Sequence, residues 1–174
     1  MQTAIYAIIG ILLLVIENLA RVSAPVFGKA PQFTFLLIIF LGFVGHPTRI
    51  ITLAFIFGYA VDALGGNLPG VNAVIFVICG SIMYGSRRNF YLRSIPFEIL
   101  SILLMTTLAV LLKIGLLFLF SLGRGLALQL LGALPAQIAL NLIAGLVMFP
   151  ILFRIDAATD LNRRDTEIFS RRTW

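Results

Sequence analysis

The feature that most limits what this chain can fold into is a series of apolar runs, separated by short turns, that recurs across residues 4–153. A bilayer core about 30 Å thick takes ~20 apolar residues per helical span. A chain of 174 residues therefore holds about six spans and no separate soluble domain. Only 11% of the residues are charged and 60% are hydrophobic, whereas a soluble domain is ~25% charged. The expected fold is an all-α membrane protein, a compact bundle of about six transmembrane helices over 1–155. A charged cytoplasmic tail over 156–174 is expected to follow it.

Turn residues divide the runs. A first span over 4–22 is interrupted only by Glu17 and Asn18, and Pro25, Gly28 and Pro31 then mark a turn. It lacks a basic leader and an Ala-x-Ala cleavage pattern, so it reads as a retained helix. A short second span over 33–45 ends at Gly45-His46-Pro47, and a third over 49–64 stops at the glycine-rich turn 65–70. The fourth covers 71–84, with Asn72 placed to cap its start. A basic loop carrying Arg87, Arg88 and Arg93 precedes a long fifth span over 97–122, and the sixth covers about 134–153. The second, third and fourth are short for a full crossing. The third and fourth are open to two readings: a complete hairpin, or one that dips partway and is shielded by its neighbours.

Loop charge sets orientation. Arg49, Arg87, Arg88, Arg93, Arg154, Arg163, Arg164, Arg171 and Arg172 fall on one side of a six-span chain, nine basic residues against Arg21, Lys29 and Arg124 on the other. The positive-inside rule then puts both termini in the cytoplasm. The net charge of +6 is thereby assigned to orienting helices and meeting anionic lipid rather than to nucleic acid, for which no binding motif is present. In the tail, Leu161 and Ile168 are seven apart, which suits one face of a short surface helix; a frayed terminus is the alternative.

Ionisable groups inside spans cost ~2.5–3.5 kcal/mol each near a helix centre, so each is a functional candidate. Glu17, Asp62 and Lys113 qualify. At ~1.5 Å per residue they lie roughly 20, 18 and 24 Å from the cytoplasmic starts of their helices, and Asn141 reaches a similar depth on the returning sixth. The spacing predicts a polar cluster in the outer third of the bilayer, with Lys113 pairing Asp62 or Glu17 and Asn141 completing the hydrogen bonds. The alternative is that Glu17 and Lys113 snorkel separately to the headgroups. The inner half holds only Glu98 near a helix start, which argues against an ion pathway. Cys79 is the only cysteine and His46 the only histidine, the latter in a turn. No metal-ligand, nucleophile or phosphate-loop pattern occurs, so neither catalysis nor a cofactor is expected.

Residues 53–82 read LAFIFGYAVDALGGNLPGVNAVIFVICGSI. Gly58-x-x-x-Asp62 at a helix end, a turn with Gly66 and Gly70, and then a helix beginning near Asn72 and rich in small residues resemble the rod-shape-determining MreD family. The chain length, Pro31 before the second span, the basic loop after the fourth and the 141–150 ending are similar as well. The resemblance does not extend to the tail beyond residue 153. It implies a non-enzymatic scaffold of the bacterial cell-elongation machinery in the inner membrane, acting in cell shape and peptidoglycan synthesis. An MreC-like single-span partner is implied, and through it peptidoglycan synthases and MreB filaments. Gly58, Gly80 and Gly145 then serve either close approach to such a partner, or to a second copy, or internal packing.

The architecture is also similar to the six-helix substrate-binding subunits of energy-coupling-factor vitamin transporters, which hold a ligand in an outward pocket. Those carry an Ala-x-x-x-Ala pattern in the first helix, whereas this chain has Ala4 and Ala7 at a spacing of three. Its outer loops are short and poor in ligand-holding residues, which favours the scaffold.

Overall fold

A computed structural model describes residues 2–23, 30–65, 69–86, 95–119 and 124–171. Among them are six helices: α1 (Gln2–Ser23), α2 (Phe33–Val44), α3 (Pro47–Gly65), α4 (Val71–Ser86), α5 (Ile95–Leu119) and α6 (Arg124–Arg171). Four carry segments long and apolar enough to cross a membrane, Thr3–Ser23, Pro47–Gly65, Pro96–Leu119 and Leu128–Ala158. The chain is a multi-pass, all-helical membrane protein.

The two short helices owe their length to their surroundings. Every α2 residue from 34 to 43 is buried, and α2 touches all five other helices. A helix apolar on every side belongs in a protein interior. With no lipid against it, α2 is released from matching the bilayer, and 12 residues suffice. The other helices ring it, and their outward faces carry the exposed apolar side chains, such as Ile8, Ile11, Leu12 and Val15 on α1.

α3 and α4 form the closest helix pair. Gly58 permits it, since a Cβ there would collide with the backbone of Ala73. Gly80 and Gly145 likewise face inward, against Ile50 and Ile38 and against Ile102 respectively. All three glycines pack the bundle internally. Pro47 opens α3, where its missing N–H is no loss. Cys79 is buried and His46 is exposed between α2 and α3.

The sixth helix departs from expectation. It starts at Arg124 rather than near 134, continues through Pro135 and Pro150, and runs on through the tail to Arg171 as 48 residues of helix, about 72 Å long. Proline in a membrane helix removes one hydrogen bond without ending the helix when neighbours satisfy the freed carbonyl. Charge at Arg154 marks where the helix ceases to be apolar, and helical geometry does not end there. Near that point Tyr6 donates a 2.5 Å hydrogen bond to Asp156, so the start of α1 and the end of the apolar part of α6 share one end of the bundle.

Candidate functional site

At the opposite end, α2 and α4 each begin with an unmet need. The first amides of a helix have no partner within it, and in a low-dielectric setting an unpaired N–H is costly. The α2 N-cap residue Gln32 makes no capping bond through its side chain. The carbonyl of Gly70 accepts the first bond of α4, and a glycine has no side chain to cap with; its φ of 92° closes the turn after Pro69.

Both needs are met from the preceding helix by a buried carboxylate. Glu17 Oε2 accepts from the Thr34 amide at 3.0 Å, and Asp62 Oδ2 accepts from the Asn72 amide at 2.9 Å. Each is the second residue of its helix, the position an N-cap side chain normally serves. Glu17 Oε1 also takes a 2.8 Å ion pair from Arg21, one turn later on α1. Asp62 Oδ1 accepts from Asn72 Nδ2 at 2.6 Å. Asn72 was expected to cap α4 itself; the structure makes it the donor and Asp62 the cap. Negative charge at these positive helix ends is favourable a second time, through the helix dipole.

Asn141 completes the arrangement around α2. Its Oδ1 accepts from the Gln32 amide at 2.9 Å and from Gln137 Nε2 at 3.1 Å, and its Nδ2 donates to Thr106 on α5 at 3.2 Å. Gln137 Nε2 also reaches the carbonyl of Ala30 at 3.2 Å. The start of α2 is therefore held from α1 by Glu17 and from α6 by Asn141. The partners are its own backbone amides.

A cavity of about 200 Å³, partly open to the surface, lies beside these contacts, lined by Arg21, Gln32, Asn72, Lys113 and Gln137 among apolar walls. Of the residues expected to cluster, Glu17 and Asn141 each hold a backbone amide at the start of α2, while Lys113 and the Asp62 partner Asn72 line this cavity. Gly58 lies at the α3–α4 contact, against the backbone of Asn72 and Ala73. Gly66, Arg87, Arg88, Arg93 and Arg172 lie outside the described residues, and Arg163, Arg164 and Arg171 fall on the last turns of α6. Gln32, Thr106 and Gln137 were not singled out in the sequence, although Gln137 is one turn before Asn141 on the same face. Among the described residues no group of three or more His, Cys, Asp or Glu side chains could hold a metal.

The family comparison matches residues 1–155 to "rod shape-determining protein MreD". The chain belongs to the MreD family. No curated protein and no solved structure matches it. MreD membership gives the bundle a role in rod-shape determination. The matched span ends one residue before Asp156, so it takes in the whole α2-centred bundle and stops where α6 turns polar.

Proposed function

We propose that this MreD-family bundle is a non-catalytic scaffold of the cell-elongation machinery, docking an MreC-like single-span protein and, through it, peptidoglycan synthases and MreB filaments. The family match over 1–155 carries this reading. The interior supports it: the bundle centre is filled by α2, and the intramembrane acids Glu17 and Asp62 cap helices, leaving no string of titratable groups across the membrane among the described residues. Among the described residues the polar cavity measures about 200 Å³, below the roughly 300–1,000 Å³ of ordinary small-molecule pockets. That volume disfavours the vitamin-binding alternative.

In this reading residues 1–155 are the membrane domain, and the rest of α6 extends into the cytoplasm as a basic arm. Both termini are cytoplasmic, supported by the loop-charge asymmetry and by the Tyr6–Asp156 contact at one end of the bundle. Site-directed photo-crosslinking from the lipid-facing α1 positions Ile8, Leu12 and Val15, in native membranes, tests the docking. The expected adduct is a single-span coiled-coil protein. Recovery of an ATPase pair, or of a bound vitamin after gentle purification, would replace the scaffold with a transporter.

A further inference from the structure

We infer that the Tyr6–Asp156 hydrogen bond is a latch across an open seam of the bundle, and that breaking it lets α1 and α6 part at the end where α1 begins. The seam follows from the packing order. Around α2, α1 packs on α3, α3 on α4, α4 on α5 and α5 on α6, while no comparable packing joins α6 back to α1 among the described residues. Both helices lean on α2 instead. At the far end of the seam they are joined through it, since Glu17 of α1 holds the Thr34 amide and Asn141 of α6 holds the Gln32 amide.

At the near end a direct bond crosses the seam, from the buried Tyr6 hydroxyl on α1 to the half-buried Asp156 carboxylate on α6. Phe40 of α2 lies behind it, fully buried, its ring centroid 6.4 Å from that of Tyr6 and 5.0 Å from that of Phe153 on α6. Apolar surface gains little by leaving lipid, so helices in a bilayer are held by close packing and polar contacts. The other neighbouring pairs in the ring have close packing. The α1–α6 seam has the bond and a shared ring behind it, so the loss of one hydroxyl weakens this seam more than any packed one. Asp156 also marks where α6 changes character, because its apolar segment closes at Ala158 and the helix runs on to Arg171. A continuous helix carries displacement along its length, which couples the part of α6 beyond the bundle to the latch. The latch involves no protein partner, so it stands or falls apart from scaffold docking.

The full chain, carrying Cys79→Ala and nitroxide labels on paired introduced cysteines, is reconstituted in lipid nanodiscs, and label distances are measured by pulsed electron spin resonance. Ile8→Cys with Ile151→Cys spans the seam. Ile8→Cys with Phe55→Cys, and Leu104→Cys with Ile151→Cys, span the packed α1–α3 and α5–α6 pairs, all at exposed positions. Tyr6→Phe keeps the ring and removes only the hydroxyl. It is expected to lengthen the seam distance by roughly 2 Å or more, the scale of helix shifts in switching proteins, with both control distances unchanged. Asp156→Ala is expected to do the same, and it carries the test should Tyr6→Phe fail to fold. Asp156→Asn keeps an acceptor for the hydroxyl and is expected to hold the original distance. An unchanged seam in Tyr6→Phe, or an equal lengthening of all three distances, overturns the latch. So does a seam as long in Asp156→Asn as in Asp156→Ala, because the hold would then be charge, with Arg49 the cation whose field reaches Tyr6.

Discussion

The two ends of α2 are held by different physics. At its start, Glu17 and Asn141 grip the amides of Thr34 and Gln32 through single hydrogen bonds of 3.0 and 2.9 Å. Toward its finish, Phe40 and Phe43 sit among rings: Phe40 against Phe153 and Phe149 at centroid distances of 5.0 and 5.9 Å, Phe43 against Phe97 and Phe149 at 5.5 and 6.1 Å. In lipid, apolar surface gains little by leaving its surroundings, so helix association rests on shape and on polar contacts. The aromatic end offers many weak contacts that can share a loss. The polar end offers a few directional ones, and each leaves a buried donor unpaired if its acceptor is removed. The start of α2 sets its register, and the finish fills space.

Glu17→Ala presses this contrast hardest. It strands the Thr34 amide and takes the carboxylate from Arg21, and an unsatisfied buried donor together with a broken charged bond costs roughly 2–3 kcal/mol. Unfolding free energy in mixed micelles, titrated with a denaturing detergent, measures it. A loss under about 1 kcal/mol, the net worth of an ordinary hydrogen bond, would mean that the α2 amides find other partners and that the polar end has no special hold.

How legible this arrangement is in the sequence follows from the same bonds. Glu17, Asp62 and Asn141 stand out because polar groups in apolar runs are expensive. Their partners do not, because the donors at Thr34, Asn72 and Gln32 are backbone amides, which nearly every residue carries. The sequence could therefore flag the acceptors, while pairing them required knowing which helix starts beside which. Tyr6 and Asp156 are a harder case: they are 150 positions apart, and neither breaks a local pattern. The short second run was readable as a helix, but it was taken for a short span rather than for the enclosed centre of the bundle. The length of α6 was misjudged because Pro135 signals a helix start and Arg154 the end of an apolar run, whereas a bundle tolerates the proline and charge ends an apolar span without ending a helix.

Phe149→Leu probes the other end of α2, where Phe149 meets both Phe40 and Phe43. Leucine keeps an apolar body but removes part of the ring's volume, a small large-to-small change that costs on the order of 1 kcal/mol. The expected loss is about 1 kcal/mol, less than half that of Glu17→Ala, in the same titration. A larger loss than Glu17→Ala would reverse the ranking of the two ends and make the ring cluster the element that positions α2.

Thr34→Val should have the smallest effect, and it separates polarity from hydrogen bonding. Thr34 lies at the polar end and its amide is held by Glu17, yet its buried hydroxyl Oγ1, close to the same carboxylate, makes no hydrogen bond of good geometry. Valine has nearly the same shape, keeps the amide and removes only that hydroxyl. A buried polar group with no partner is a penalty rather than a support, so replacing it is expected to shift stability by no more than about 0.5 kcal/mol, with the gain on the side of valine. If the variant loses more than about 1 kcal/mol, the hydroxyl is serving the Glu17 carboxylate, and the hold on α2 includes a second bond from the same residue. If stability is unchanged or improved, the grip at this end resides in the acceptor–amide pairs alone.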